Sequence, residues 1–332
     1  NSPTSWQWTF SGDDTLYSGL QNPVITFSDP GTYNAVLVVS NAYGSDTLMI
    51  NGYLTIVQLK PGNLGTGTND QVFAMEVYKN ELYVGGWFTQ INGISCNYGV
   101  ANWDGNQWEC LSGAYVYNSM VVFGNYLFFC GAGLGRWDGT NVFYSEALGT
   151  ITAMVVYNNQ LWINNGDGYL GILDTSSISP NPATLKMDTI VSSDYWVKDM
   201  IVYDNKIYAG GYFTSIGGVP ANSIAYFDGT AWQPVGGGVN GSIQDMIVLN
   251  SKLIVVGNFT YADTISAKDI AILDNNKWSD LGFYDSISGG TPSDAWIKAI
   301  TEWNGKLFVA GKFTHVNGQY AESVASYDFN SK

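Results

Sequence analysis

"IYAGGYFTSIGGV" (Ile207–Val219) decides the fold because the chain writes it four times. The other copies are "LYVGGWFTQINGI" from Leu82, "LIVVGNFTYADTI" from Leu253 and "LFVAGKFTHVNGQ" from Leu307. A catalytic motif is normally used once, so recurrence on this scale points to architecture. Around the second copy, Asp204-Asn205 stands between two runs of β-formers and predicts a hairpin joining Val197–Tyr203 to Ile207–Gly211. A loop rich in Gly and Pro follows. A third strand, Ser223–Phe227, then leads through Asp228-Gly229 to a fourth, Ala231–Val235. Four short antiparallel strands make one unit.

The unit recurs along the chain. Its first strand is marked by Met75, Met120, Met154, Met200, Met246 and Ile300, and ends on Tyr78, Phe123, Tyr157, Tyr203, Leu249 and Trp303. Asp104-Gly105, Asp138-Gly139, Asp228-Gly229 and, in degenerate form, Asp274-Asn275 mark the third turn. Trp108, Trp232 and Trp278 open fourth strands. The pattern predicts an all-β chain whose main part is a six-bladed β-propeller, one four-stranded sheet per blade. Small residues recur in the second strand at Gly85, Cys130, Asn164, Gly210 and Ala310, as expected where neighbouring backbones approach closely. Phe88, Phe213, Phe259 and Phe313 are expected to wedge between blades.

The sixth unit stops at Tyr327–Asn330, before its Trp strand. Leu64–Asn69 matches Val235–Asn240 at the end of the fourth unit, so residues 59–66 are expected to close the last blade. A ring closed in this way leaves no free sheet edge. The open alternative is that the protein continues past Lys332. The expected division is residues 1–57 and 58–332. Residues 1–57 alternate as strands, with Trp6, Trp8 and Phe10 on one face, and predict a small immunoglobulin-type sandwich short of one or two N-terminal strands. With no initiating Met and no leader-like stretch, the chain reads as a trimmed piece of something longer.

Those N-terminal residues resemble the PKD domain. Trp8-Thr9-Phe10-Ser11-Gly12-Asp13 stands where that family has its W-D-F-G-D-G turn, with Thr9 in place of the usual Asp. Asn22-Pro23, Pro30–Tyr33 and Val39–Asn41 match later landmarks. The repeats resemble the kelch-like "lyvGG-F…W" units of large secreted proteins of the phylum Bacteroidota. The resemblance implies an extracellular or cell-surface module of a substrate of the type IX secretion system, with the secretion machinery as a partner if a sorting domain follows.

Charge and composition narrow the chemistry. Lys and Arg number 13 against 28 Asp and Glu, a formal charge of −15, which argues against nucleic acid and against anionic membrane surfaces. No apolar run reaches the roughly 18 residues needed to span a bilayer. The single His, His315, has Gln90, Ser215 and Tyr261 as counterparts, which reads as a tolerant surface position. One Arg, Arg136, rules out the arginine cluster that sialidase-type propellers share. No Cys/His spacing suggests a metal, and no cofactor is expected. Asp199 and Asp245 occupy equivalent places in adjacent first strands. They could form a cation site or a glycoside-cleaving pair, or they could cap main-chain N–H groups at the channel; the capping role is adopted.

Cys96 and Cys110 flank one predicted hairpin and are candidates for a disulfide. Trp87, Tyr195, Trp196, Tyr212 and Trp296 stand at loop or strand-end positions, where exposed rings suit a glycan or a protein ligand. If the source is a Bacteroidota species, the family resemblance further implies O-glycosylation at Asp-Ser/Thr triplets, here Thr15, Thr47, Thr189, Thr264 and Ser286. The expected function is a non-enzymatic binding or adhesion module. The alternative is a polysaccharide-active enzyme or its carbohydrate-binding accessory region.

Overall fold

The computed structural model describes residues 3–11, 15–23, 25, 31–56, 65–96, 99–111, 119–174, 186–282, 285–286, 295–303, 306–317, 319–321 and 323–328. Every regular element among them is a β-strand. The chain divides into two compact units, Asn1–Gly65 and Thr66–Lys332. The expected boundary at 57/58 and most of the expected closing strand, 59–66, lie outside the described residues. Thr66 donates its N–H to Asn92 Oδ1 at 3.1 Å, and Thr68 bridges to Ile91. Both contacts are made within the second unit.

The first unit is one antiparallel sheet in the order Thr15–Ser18, Ser5–Ser11, Gly31–Asn41, Gly44–Ile56. Alternation puts Phe10 on a buried face with Tyr33 and Ala35, and stacks Trp8 on Phe10 with ring centroids 5.8 Å apart. The second layer that a sandwich requires is not among the described residues.

The second unit is a succession of meandering sheets: one (72–111), two (120–145), three (151–192), four (196–234), five (242–280) and six (296–328). Among the described residues, sheets one to five have four strands each and sheet six has three, with Val324–Asp328 at its edge. The hairpin dipeptides behave as their sequence suggests. Asp204-Asn205 and Asn158-Asn159 hold positive φ at both residues, the geometry that matches the twist of the flanking strands. Asp228 Oδ1 accepts the N–H groups of Thr230 and Ala231, which makes the Asp-Gly turns self-capping. The loop after the second strand is more ordered than its Gly-Pro content suggests. It forms a two-stranded hairpin, Ser215–Ile216 with Val219–Pro220 in sheet four, repeated in sheets one and five, and in sheet six with Asp285–Ser286 added as a third strand.

Sheets stack through apolar clusters. Met200, Phe213 and Trp232 of sheet four pack with Ala153, Tyr157 and Trp162 of sheet three. Met246 and Phe259 of sheet five pack with Tyr208 and Ile224 of sheet four, and Ile300 and Phe313 of sheet six with Ile254 and Ile270 of sheet five. The repeated Phe is therefore an inter-sheet wedge. The tyrosine ending the first strand is an inter-sheet tie: Tyr78, Tyr157 and Tyr203 donate their hydroxyls to the carbonyls of Asn125, Asn205 and Ser251 in the next sheet.

The glycine pair needs a correction. Gly210 does face the next sheet, and a Cβ there would meet Ile243 and Met246 at 2.8 and 3.0 Å. The second glycine is constrained from within its own sheet. The first strand carries a β-bulge, at Val197/Asp199 in sheet four and at the equivalent place in sheets one, three, five and six. The bulge pushes the carbonyl of Trp196 to where a Cβ on Gly211 would sit, and Gly86, Gly257 and Gly311 meet the same obstacle.

Candidate functional site

A recurring clamp builds the surface above the first strands. Asn240 Oδ1 accepts the N–H groups of Thr260 and Tyr261 at 2.8 Å each, and its Nδ2 donates to the Thr260 hydroxyl. Asn69 does the same for Thr89 and Gln90, and Asp194 accepts the N–H groups of Thr214 and Ser215 on Oδ1 and the Thr214 hydroxyl on Oδ2. Each clamp residue precedes its Thr by 20 positions. The Thr of the Phe-Thr pair is thus a docking point for the chain entering the sheet. Asp294 stands at the same spacing before Thr314 but lies outside the described residues. Burial opposes ionisation of Asp194, and the Thr214 hydroxyl with the Ser215 and Thr214 N–H groups outweighs it, holding the carboxyl below its ordinary range.

The clamp in sheet four carries an aromatic cluster. Tyr195 follows Asp194, its ring 5.1 Å from Trp196 and 5.3 Å, edge to face, from Tyr212. Trp196 and Tyr212 are cross-strand partners in the first and second strands. About half of each of the three side chains is open to solvent, Tyr212 most at 56%. Beside them a cavity of about 520 Å³ opens toward sheet five, lined among others by Asp194, Tyr195, Tyr212, Asn222, Gly238 and Asp263. Its floor is main chain. Gly238 has φ +72°, and a Cβ there would land on the Asn222 carbonyl. Asn222 Nδ2 donates to the Gly237 carbonyl, and Asp263 Oδ1 accepts the Gly237 N–H.

The five predicted aromatics therefore divide. Tyr195, Trp196 and Tyr212 come together. Trp87 lies edge-on to Phe73 in sheet one, with centroids 5.0 Å apart, and Trp296 opens the first strand of sheet six opposite Lys312. Asn222, Gly238 and Asp263 were missed because each is a turn residue with nothing local to mark it. The available signal was the match of Val235–Asn240 with Leu64–Asn69, runs that the structure sets beside the hairpin of the sheet that follows each.

The acid pair takes a defined place. Asp245 accepts the N–H of Met246 on Oδ1 at 2.8 Å and that of Ile300, in sheet six, on Oδ2 at 2.9 Å. Asp199 hydrogen-bonds Asp245 and accepts from Met200 and Met246. The pair thus ties the first strands of sheets four, five and six and caps their bulged backbone. Burial, then the charge of Asp245, pushes the Asp199 carboxyl up; burial also raises Asp245, against its N–H donors. His315 pairs its Nδ1 with the Thr314 hydroxyl, and the Arg136 guanidinium is sandwiched between the Tyr126 and Phe143 rings at 4.6 and 4.5 Å. Cys96 and Cys110 are joined by a disulfide, and Cys130 is a buried free thiol whose pKa burial pushes up to about 12. Thr15, Thr47 and Thr264 are exposed; the side chains of Thr189 and Ser286 lie outside the described residues.

Residues 1–56 match the family model of the PKD domain. Residues 204–227 and 304–325 match the family described as "Domain of unknown function (DUF5122) beta-propeller". Both propeller matches fall on hairpins of the repeated unit, so the architecture is a PKD domain joined to a β-propeller. No curated protein sequence matches the chain. Among solved structures, a quinonprotein alcohol dehydrogenase-like protein from Bacteroides thetaiotaomicron is 11% identical over 99% of this chain and 87% of its own, with a TM-score of 0.47. The computationally designed Ika8 protein is 13% identical over 92% and 82%, with a TM-score of 0.45. YCF48 from Cyanidioschyzon merolae is 11% identical over 81% and 88%, also with a TM-score of 0.45. Likenesses at this level say nothing of what this chain binds.

Proposed function

We propose that the chain is a non-enzymatic, extracellular glycan-binding module of a larger secreted or cell-surface protein, with its six sheets as the blades of the propeller. One observation carries the reading: Tyr195, Trp196 and Tyr212 present half-open rings beside a cavity rimmed by Asp263, Asn222 and glycine backbone. Aromatic faces take the C–H face of a sugar ring, and short polar groups around them take its hydroxyls. PKD domains occur typically in extracellular proteins, which supports the location, and the Cys96–Cys110 disulfide is compatible with it. The repeats also support an origin in a type IX secretion substrate of Bacteroidota. For such a source, intact-mass analysis of native material should show hexose-sized increments, and a mass equal to the bare polypeptide would discard the modification.

A glycan array probed with the purified chain tests the binding function. The expected result is a restricted set of bound glycans, lost in Trp196→Ala and Tyr212→Ala but retained in Trp87→Ala. An empty array, or binding indifferent to the first two substitutions, would remove the reading.

A further inference from the structure

The bulge in the first strands sets a second group of side chains at the inner edge of the sheets. In sheets four, five and six the bulged residues are Lys198, Gln244 and Lys298, each directly ahead of Asp199, Asp245 or Ala299. The Asp199–Asp245 bond and the Ile300 N–H on Asp245 hold these three strands side by side. Lys198 Nζ lies 4.8 Å from the centroid of the Trp196 ring, and Lys298 Nζ lies 6.0 Å from that of Phe73.

The placement runs against the composition. The chain has 28 carboxylates for 13 basic residues, yet lysines occupy the equivalent bulge positions of sheets four and six and neither forms an ion pair among the described residues. The Asp199 and Asp245 carboxylates next to them are committed to main-chain N–H groups and to each other. The ammonium groups also sense each other: burial, then the charge of Lys298, lowers the Lys198 pKa. Two like charges held together without a counter-charge are relieved by an anion between them.

We propose that Lys198, Gln244 and Lys298 form an anion site at the inner edge of sheets four to six, and that its ligand is the carboxylate of a uronic-acid-type sugar whose ring lies on Trp196. This deepens the glycan reading and rests on it, because Trp196 belongs both to the aromatic cluster and to the lysine site. The overall charge of −15 repels polyanions at long range, so the site suits a saccharide with an isolated carboxylate rather than a densely charged chain. Gln244, on the strand between, donates its Nε2 to the Ser242 hydroxyl at 3.2 Å, which leaves its second amide hydrogen and its carbonyl oxygen to meet ring hydroxyls.

The test is calorimetric titration of the full chain with a glucuronate-terminated disaccharide, its methyl ester, the corresponding sulfate ester of the neutral disaccharide, and free glucuronate. The acid should bind at least tenfold more tightly than its methyl ester, weaken as salt is raised, and lose that advantage in Lys198→Gln/Lys298→Gln. Lys198→Arg/Lys298→Arg should retain it, and melting temperatures would confirm that both double variants fold. A preference for the sulfate ester over the acid would overturn the carboxylate assignment. Equal binding of acid and methyl ester, or an acid preference that survives the Gln variants, would overturn the anion site while leaving the glycan reading in place. Lysine-dependent binding of free glucuronate with no disaccharide bound would uphold the anion site and remove the glycan reading. Silence from all four ligands would overturn the anion site, and the glycan array would then decide the glycan reading by itself.

Discussion

Sheets four and five meet in a closed apolar layer, whereas among the described residues sheets six and one show none, although all four are built from the same repeated motif. In the first interface Met246 is 5% exposed and packs with Tyr208, Ile224 and Phe259, and the Trp278 indole reaches the Val235 carbonyl across the sheets. Met75, the counterpart of Met246 in sheet one, is 67% exposed, with Val77 beside it also open. The buried cluster on that face, Val84, Phe88, Ile91, Ala101 and Trp108, draws on sheet one alone. At the far end, Val324 of sheet six is exposed too. Among the described residues, Lys298 over the Phe73 ring links the two ends. A repeat thus specifies a sheet and offers it two apolar faces; burial of a face depends on what comes to meet it.

The most direct way to break this comparison is a matched pair of truncations. Met246→Ala should destabilise the second unit by about 2–5 kcal/mol, through lost burial and a residual cavity. Met75→Ala should cost less than about 0.5 kcal/mol, as expected of an exposed side chain. Urea unfolding of both variants measures the difference, and equal costs would mean that sheets six and one close in solution.

A smaller effect is expected from the disulfide on the sheet-one side. Cys96 and Cys110 are 14 residues apart, so Cys96→Ser/Cys110→Ser should cost about 3 kcal/mol through the loosened unfolded chain. Calorimetry with and without reductant checks this, since the variant should melt where the reduced native chain does.

The clamps sharpen the comparison because each works inside one sheet. Asn240→Ala and Asn69→Ala should each cost about 1 kcal/mol, by analogy with loss of a side chain capping main-chain N–H groups. Similar values would show that sheet one is as well formed as sheet five despite its open face. Asp294→Ala should behave alike if the 20-residue spacing extends to Thr314.

The smallest effect expected is a pH dependence at the acid pair. Burial and the neighbouring Asp245 charge raise Asp199, and burial raises Asp245, so the folded state holds protons that the unfolded state has released. Their contribution is full below about pH 4 and is lost as pH rises toward 8. The two carboxylates titrate as one coupled pair, so the effect is smaller than two independent shifts would give. The melting temperature should fall by about 2–4 °C across that window and stay flatter in Asp199→Asn.

Much of this was legible in local sequence. Asp204-Asn205 gave its hairpin because two positive-φ residues suit that turn, and Phe213 gave its wedge because a large apolar residue recurs at one place in each unit. The bulge at Lys198 was not legible, since no residue type marks one extra position in a strand. The requirement for Gly211 follows from that bulge and was hidden with it. Asp194, Asn240 and Asn69 looked like ordinary turn residues because their partners lie 20 residues on. Of the aromatics, the sequence could name Tyr195, Trp196 and Tyr212 but had no means of separating them from Trp87 and Trp296.

By itself the sequence determined the strands and their hairpins, because these depend on alternation and turn chemistry within a few residues. Only the tertiary structure decided which repeats bury their faces, which acids pair and which rings meet. Those outcomes depend on distances between strands from different sheets, and strand periodicity carries no information about that separation.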